Sequence, residues 1–474
     1  SKDSKGDAGS FEVVRQTESL IAKLAASPLV ADAPQRLQKQ LADLQQNITA
    51  KPREDRSSVT QGRQAMEALL VRGANILFAT TNSPELERLL DERGQFDWVM
   101  VEEAGKATGG ELLAPLLLSY RRLMIGDHKQ LAPFGSDQIV QLLTDPIAVA
   151  RALEVGAEFI GRTLRDPATE EVLDEVDTDQ SDFPALCSLA LGQILLFERM
   201  IEEEFRVHKN KPKARRIAQR LTLQHRMHPA LAEIVSHSFY DDELKTHEEA
   251  ATRIAEAGSP VSSKDSKRLP NAPLVFVDMP WVQATVGMKA DDAERRPRWH
   301  NPAEVDAVCR ILSLLKVREG LEKSPSLAIL SPYSEQVRRL RIAIDDDRGS
   351  YPLLSALSPA VDADHYCGTV DSFQGNEADL VVVSLVRNNH HASIRRALGF
   401  LSDSRRMNVL LSRAKSCLFV VGSLKFLRAT IDSNAGTDAL QEASFLERFL
   451  DALETQRQRG NAVTITSERL VNGK

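Results

Sequence analysis

Two stretches of this sequence decide the fold: WVMVEEA at residues 98–104 and LMIGDHKQL at residues 123–131. In each, a short apolar run ends in small or charged residues, and a helical pattern lies between the two. Runs that are apolar on both faces and alternate with helices indicate a parallel sheet covered by helices on both sides. The pattern recurs at residues 76–80, 327–330, 380–383 and 418–421. We therefore predict an α/β fold in which ligands bind outside the carboxyl ends of the strands.

Length and composition limit the possible classes of protein. A chain of 474 residues is too long for one core, so two or three domains are expected. The net charge of −7 argues against a surface coated with basic residues for nucleic acid, but it leaves room for a local basic channel. The four cysteines form no CxxC pair, which favours reduced thiols, a cytoplasmic location and no zinc site. No apolar run reaches the roughly 20 residues that span a bilayer, so no membrane partner is expected.

The helical and strand patterns divide the chain into three predicted parts. Leucines at three-to-four-residue spacing from residue 11 to about residue 50 indicate a helical stalk or insertion. Residues 135–210 are typical of a helical insertion, acidic between Glu170 and Asp182. The polar start has no initiator Met, so we expect further residues upstream. The predicted parts are a stalk at 1–60, a first sheet domain at 61–210 and a second at 211–474.

Two adjacent acids, Glu102 and Glu103, end the first quoted strand. A nucleotide hydrolase needs such a pair, because one carboxylate holds Mg²⁺ and its neighbour polarises the attacking water. Taken alone this is a weak signal, since strands often end in acids. The second quoted strand ends in Gly126, Asp127 and then Gln130, which suits a loop that senses a terminal phosphate.

Residues 96–134 resemble motifs II and III of the superfamily 1 helicases, most closely the branch with the nonsense-mediated-decay and senataxin-type enzymes. Further resemblances follow in the family's order. They are LFER at 196–199, LQHRMHP at 223–229, LSPY at 330–333 with Gln336, GTVDSFQGNE at 368–377 and RRMNVLLSRA at 405–414. The resemblance covers roughly residues 75–425. It implies two RecA-like domains, with ATP and Mg²⁺ in the cleft between them and a single strand of DNA or RNA across the opposite face.

The resemblance also implies a catalytic role for each matching residue. Glu103 would orient the attacking water, Glu102 would hold Mg²⁺, and Gln130 would contact the γ-phosphate. Arg226 and Arg413 correspond to arginine fingers, which neutralise the charge that develops on the transferred phosphoryl group.

Two further sets of residues take their roles from the same resemblance. The positions that match nucleotide-binding residues are Gly126, Asp127, Gly375, near the γ-phosphate, and Glu377, which would accept from the ribose. The positions that match strand-contacting residues, which would bind mainly the phosphate backbone, are Thr80, His225, Pro332, Thr369 and Ser372.

Each of these assignments has a plainer structural alternative. An arginine beside a carboxylate is usually a surface ion pair, and a threonine after a strand is often a helix cap. His225 stands where many relatives have tyrosine, and imidazole stacks more weakly. The pair His390–His391 has no carboxylate or cysteine at ligand spacing, which favours a solvated loop.

The sequence departs from the family's pattern at three points. Glu102 replaces the usual aspartate, and Lys106 replaces a frequent glutamine, where its ammonium could reach either a phosphate or the acidic pair. The phosphate-binding loop, G-x-x-x-x-G-K-[ST], is absent from the 474 residues. We expect an upstream segment or a partner protein to supply it, which makes the first domain incomplete and this chain alone inactive.

The resulting prediction is an ATP-dependent helicase or translocase. Its main alternative is a catalytically incomplete or split helicase that binds nucleic acid or a partner protein without hydrolysis. A nuclease that uses the fold as a sensor is less favoured, because no further acid and histidine cluster is present. The choice between DNA and RNA stays open, and a 5′ to 3′ polarity rests on analogy.

Overall fold

The computed structural model describes residues 71, 73–91, 96–159, 182–281, 299–346, 349, 351–361, 365–437, 440 and 443–473. The chain separates into two compact units, Ser1–Leu86 and Glu87–Lys474. The predicted stalk at 1–60 lies outside the described residues, as does the acidic stretch up to residue 181. The predicted boundaries at residues 60 and 210 therefore stay predictions.

Both quoted stretches form strands, as predicted. Strand β1 (Val99–Val101) pairs in parallel with β2 (Arg122–Met124). Helix α2 (Gly109–Leu117) joins them and begins at a capping box. The Glu111 backbone N–H donates to Thr108 Oγ1 at 3.3 Å, and the Thr108 N–H donates to Glu111 Oε2 at 2.7 Å. This reciprocal pair satisfies two backbone donors that a helix start leaves open, and it fixes the first turn of α2.

This first sheet is covered on one face by the described residues. Val101 packs with Leu112 and Phe197 in a small core, whereas Met100 and Leu123 are 66% and 42% exposed. The sequence predicted helices on both faces. The described part of the chain contributes two strands to this sheet, and the predicted cover of its second face stays a prediction.

The strand predicted at residues 76–80 is wrong. These residues have no regular structure, and the Ile76 and Phe78 side chains are 72% and 91% exposed. A short apolar run becomes a buried strand only where neighbouring strands take up its backbone groups. Among the residues that the structure describes, no strand pairs with this run.

The second sheet is large and wholly parallel, which confirms the predicted α/β class. Its strand order is β10-β8-β11-β12-β6-β13, with β9 also paired to β8. The strands of this sheet are β6 (Leu274–Asp278), β8 (Ser326–Ser331), β9 (Ser358–Pro359), β10 (Cys367–Thr369), β11 (Ala378–Ser384), β12 (Ala414–Gly422) and β13 (Ala462–Thr466). Two small separate pairs are β3 (Leu223–Gln224) with β4 (Lys245–Thr246), and β5 (Val261–Ser263) with β7 (Leu315–Val317).

Both faces of the large sheet are buried. Along β11, Val381 and Val383 belong to one hydrophobic core, and Leu380 and Val382 belong to the other. Because successive side chains of a strand point to opposite faces, this strand needs apolar residues at every position. The continuous run LVVV at 380–383 is therefore explained by its two-sided burial.

The remaining described elements are mostly helices, including the predicted insertion after residue 135. Their bounds are α1 (Pro84–Asp91), α3 (Ser136–Leu143), α4 (Pro146–Phe159), α5 (Phe183–Ile194), α6 (Leu196–Asn210), α7 (Pro229–Phe239), α8 (Glu248–Ala257), α9 (Pro302–Leu314), α10 (Ser334–Asp346), α11 (Ile394–Leu398), α12 (Ser404–Leu411), α13 (Leu424–Ser433), α14 (Ser444–Gln458) and α15 (Ser467–Asn472). Within the described ranges no single helix has the length and apolar character to cross a membrane. The consecutive pair α5 and α6, bent by 100°, meets those criteria only when taken together.

The large sheet separates two groups of predicted site residues. Gly375 and Glu377 directly precede β11, and Arg413 directly precedes β12, so all three lie at the amino edge of the sheet. Pro332 and Thr369 lie at the ends of β8 and β10, at its carboxyl edge. Predicted nucleotide contacts and predicted strand contacts thus lie at opposite edges.

Candidate functional site

The acidic pair lies at a strained turn after β1. Glu103 has φ 56° and ψ 38°, the left-handed conformation that non-glycine residues seldom adopt. Glu102 is exposed, and Glu103 is half-buried. The backbone is pinned on both sides of the turn, since Ala104 N donates to Ile125 O at 2.8 Å and Ile125 N donates to Val101 O at 2.8 Å. Strain of this kind persists where the surroundings hold it, often at functional sites.

The turn after β1 and the loop after β2 touch at two glycines. A Cβ on Gly126 would lie 2.9 Å from Gly105 N and 3.0 Å from Phe197 Cε1, and a Cβ on Gly105 would lie 3.2 Å from Asp127 O. Gly126 therefore has a packing reason to be glycine, and the role as a nucleotide contact stays a prediction.

The Asp127 carboxylate is the hydrogen-bonding centre of the loop after β2. It accepts from Lys129 N at 2.9 Å, from Gln130 Nε2 at 2.9 Å and from the Tyr240 hydroxyl at 2.5 Å. Burial, followed by the charge of Asp127, raises the pKa of Tyr240 above its ordinary value. Asp127 thus orders its own loop; direct contact with a nucleotide stays a prediction.

Arg413 is buried, with 2% of its surface exposed. Its guanidinium donates to Gln130 Oε1 at 3.0 Å, Ser412 Oγ at 2.9 Å, Val409 O at 3.2 Å and Asn376 O at 3.3 Å. All four acceptors are neutral. Burial, followed by the nearby charge of Arg226, lowers the pKa of Arg413 to about 10. Among the residues that the structure describes, no carboxylate lies within ion-pair distance of this cation.

Arg226 is held by Glu377, which also accepts from Lys415. The Arg226 guanidinium forms an ion pair with one carboxylate oxygen of Glu377, and Lys415 Nζ lies 2.7 Å from the other. Burial alone would raise the pKa of Glu377, but Lys415 and Arg226 hold it below its usual value. Arg226 is 40% exposed. The carboxylate predicted to bind a ribose therefore pairs with two cations here.

Several of the predicted catalytic positions lie close together between the two sheets. Lys106 Nζ lies 3.7 Å from Glu103 Oε1. Gly375, with φ 85°, sits against both, since a Cβ there would lie 3.6 Å from Lys106 Nζ and 3.9 Å from Glu103 Oε1. Together with Gln130 and Arg413, these residues line one site. Lys106 therefore reaches Glu103 of the acidic pair, and its alternative reach to a phosphate stays a prediction.

Three of the five predicted strand contacts lie together at the carboxyl edge of the large sheet, because Thr369 pairs with Ser331, the residue before Pro332, and Ser372 bonds to Thr369. Thr369 and Ser372 bond to each other, with Thr369 Oγ1 donating to Ser372 Oγ at 3.2 Å and Ser372 Oγ donating to Thr369 O at 2.9 Å. Pro332 is buried, His225 is exposed and stacks on His247 at 4.7 Å, and Thr80 is exposed in the first unit. Their predicted contact with nucleic acid stays a prediction.

Sequence reasoning missed Tyr240, Asn408 and the pair of Glu198 with Arg405. Arg405 Nη2 bonds both carboxylate oxygens of Glu198, at 2.6 and 2.8 Å, and so ties α12 to α6. Asn408 and Arg405 lie inside the stretch RRMNVLLSRA at 405–414, and their place in it could have indicated a role at the site. Tyr240 carried none, because a Phe-Tyr pair at a helix end is typical of a core.

Comparison with known proteins agrees with this geometry. Two family models, each described as an AAA domain, match residues 6–136 and 193–425. ATP-dependent helicase upf1 of Schizosaccharomyces pombe is 27% identical over 372 residues, 77% of this chain and 30% of the relative. The human RNA helicase Mov10l1 is 28% identical over 73% of this chain and 24% of its own length.

A third relative covers more of this chain. The human probable helicase senataxin is 28% identical over 404 residues, 82% of this chain and 12% of senataxin. The chain thus spans 12% to 30% of the length of these three curated relatives. The matches include both quoted strands, the strained acidic turn and the stretches that carry Arg226 and Arg413. The chain belongs to the superfamily 1 helicases of the Upf1 and senataxin type.

Proposed function

We propose that this chain carries the hydrolytic residues of an ATP-dependent helicase or translocase that moves along single-stranded DNA or RNA. The observation that carries the proposal is Arg413, a buried guanidinium with four neutral acceptors. Removing a cation from water is costly unless an opposite charge approaches it. Arg226 lowers the pKa of Arg413, which places a second cation close by. Two neighbouring cations suit a polyanion such as a triphosphate.

The acidic turn supplies the complementary half of the site. The half-buried Glu103 carboxylate, beside Gly375, would orient the attacking water. Glu102 is exposed and presents carboxylate oxygens, the ligand type that Mg²⁺ prefers, so it fits the predicted metal role. A bound Mg²⁺ would neutralise phosphate charge there. Gln130 joins Arg413 to Asp127 in the loop after β2 and would sense the presence of a γ-phosphate.

The strand would cross the carboxyl edge of the large sheet. The Trp299 and Phe400 side chains are 55% and 40% exposed there, on either side of the buried Tyr333. The Arg406 guanidinium lies 4.8 Å from the centre of the Phe400 ring. Exposed aromatic rings with adjacent cations are typical of grooves that hold single strands without sequence preference. A 5′ to 3′ direction follows only by analogy with the branch.

The alternative is a module that binds nucleic acid or a partner without hydrolysis. The absence of G-x-x-x-x-G-K-[ST] from the 474 residues favours it. The strained Glu103 and the neutral surroundings of Arg413 oppose it, because a pure binder has no use for either. We therefore propose that a segment outside these residues, or a partner protein, supplies the phosphate cradle.

The test is ATPase activity of the full-length gene product with and without single-stranded DNA and RNA. We expect strand-stimulated turnover that Glu103→Gln and Arg413→Ala both abolish, and that the exposed Arg459→Ala leaves intact. A full-length protein that carries a phosphate loop and yet shows no turnover on either strand would refute the motor. Residues 1–474 alone are expected to show none, and robust turnover from them would contradict the need for an added cradle.

A further inference from the structure

The loop after β2 is bonded to two elements that pack beside the large sheet. Asn408, on α12, is fully buried, and its Nδ2 donates to Lys129 O at 2.9 Å and to the Tyr240 hydroxyl oxygen at 2.8 Å. Tyr240, the residue that follows α7, donates in turn to Asp127 Oδ2 at 2.5 Å. Residues far apart in the chain therefore meet on the loop after β2.

The donor and the acceptor of each of these hydrogen bonds follow from the chemistry of the groups. The Lys129 carbonyl can only accept, so the atom of Asn408 that faces it is the amide nitrogen. The second N–H of that amide points at the Tyr240 oxygen, which accepts. The hydroxyl proton of Tyr240 is then free to go to Asp127, whose ionised carboxylate is also only an acceptor.

This direction also sets the orientation of the Gln130 amide. Asp127 Oδ2 accepts from Gln130 Nε2 at 2.9 Å, which leaves Gln130 Oε1 to face Arg413 at 3.0 Å. In the reversed amide, the Gln130 NH₂ would face a guanidinium donor, and its oxygen would face the carboxylate. Both contacts would then be repulsive. The Asp127 carboxylate therefore selects the orientation in which Gln130 can hold Arg413.

We propose that Tyr240 is a positioning residue, whose hydroxyl holds Asp127 so that Gln130 presents its oxygen to Arg413. Tyr240 reaches the loop through a side chain from a separate helix, whereas the other two donors to Asp127 belong to the loop itself. Without the Tyr240 hydroxyl, the Asp127 carboxylate keeps only Lys129 N and Gln130 Nε2 as donors, and both belong to the same loop. The catalytic consequence rests on the proposed ATPase, but the ordering of the loop does not.

The first experiment measures hydrogen exchange of the backbone amides of residues 128–131 in the full-length protein. Tyr240→Phe removes one hydroxyl and is expected to speed exchange of these amides about tenfold. The loop then opens more easily, because one hydrogen bond that holds it closed is missing. Tyr366→Phe is the matched control: its buried hydroxyl bonds Leu354 O and Leu357 O, away from this loop. Equal exchange in Tyr240→Phe and the wild type would overturn the proposal.

A double-mutant cycle keeps the proposal testable if either variant loses general stability. Asp127→Asn should also speed exchange at residues 128–131, and adding Tyr240→Phe to it should change little, because the shared bond is already altered. Additive effects of the two substitutions would contradict a single relay.

The second readout is steady-state ATP hydrolysis with saturating single strand. Tyr240→Phe is expected to lower kcat about tenfold and to leave KM for ATP within about twofold, since misplacing a catalytic group costs rate more than binding. A change confined to KM would overturn the positioning role. If the wild type lacks ATPase activity, the proposed function fails, while the exchange result still decides the relay.

Discussion

Arg413 Nη2 lies 3.0 Å from Gln130 Oε1, and this contact joins the start of β12 to the loop after β2, 283 residues away. The guanidinium is buried and makes its other bonds to neutral oxygens as well. Gln130 is in turn fixed by Asp127. A phosphate that enters this gap would compete for the same N–H groups, so anion binding and the junction between the two sheets are coupled.

The first prediction concerns the shape of this cation. Arg413→Lys keeps the charge but loses the planar fork, so we expect the free energy of unfolding to fall by about 1–2 kcal/mol. Tripolyphosphate binding, followed by calorimetry, should weaken about tenfold because charge-assisted bonds are lost. Arg459→Lys, at an exposed ion pair with Glu233, is the control and should change neither quantity. Unaltered tripolyphosphate binding in Arg413→Lys would remove the basis for the anion site.

Three strands of the large sheet, β8, β11 and β12, could be predicted from runs of consecutive apolar residues, whereas β6, β9, β10 and β13 lie outside the predicted runs. The run at 380–383 is apolar at each position, and burial on both faces explains every one of them. The run at 76–80 is also largely apolar and yet forms no strand. Composition reports that a segment can be buried, but it does not report whether strands are present to pair with it.

The site could be predicted in part for a related reason. Glu103, Gln130 and Arg413 lie in stretches whose order in the chain is informative, and the structure brings them together. Tyr240 is a tyrosine in an apolar context, and its partner Asp127 lies 113 residues away. A role for the Tyr240 hydroxyl could not be predicted from the sequence, because its hydrogen-bond partner is brought close only by the fold.

The second prediction separates two roles for Glu377. Its carboxylate pairs with Arg226 and Lys415, and it is also the position implied to bind the ribose. Glu377→Gln should strengthen binding of tripolyphosphate, which lacks a ribose, because two cations lose their intramolecular partner. The same substitution should weaken binding of ATP by the full-length protein. Glu454→Gln, at an exposed pair with Arg457, serves as the control. Stronger binding of both ligands would exclude the ribose role, and weaker binding of both would exclude the role as partner of the two cations.

The third prediction concerns pH and the buried carboxyl of Glu304. Burial raises the pKa of Glu304 from 4.5 to about 7, despite bonds from Ser384 Oγ at 2.6 Å and Val386 N at 2.9 Å. The folded state therefore binds more protons than the unfolded state between about pH 4.5 and pH 7. Stability should fall as pH rises through this window, by on the order of 3 kcal/mol from this group.

Denaturant unfolding of the wild type and Glu304→Gln at several pH values measures this contribution. The wild type should lose stability relative to the variant between about pH 4.5 and pH 7, the span between the ordinary and the raised pKa. Asp278, whose pKa burial also raises, is present in both proteins and cancels in the difference. Unfolding free energies that stay parallel across the range would show that Glu304 titrates normally.

The fourth prediction tests the close approach of the two loops that carry Glu103 and Asp127. Gly126 does not have a positive φ, so alanine is penalised there only by lack of space. Its Cβ would meet Gly105 N at 2.9 Å and Ala104 N at 3.1 Å, and backbone atoms cannot yield as a flexible side chain can. Gly126→Ala should therefore lower the free energy of unfolding by about 1–3 kcal/mol.

Gly110→Ala is the matched control, because its nearest neighbour would be Thr108 Oγ1 at 3.9 Å, within α2. That substitution should raise stability by about 0.5–1 kcal/mol, since alanine restricts the unfolded chain. Chemical denaturation measures both variants, and a stabilising Gly126→Ala would mean that the loops do not approach as closely as the distances indicate.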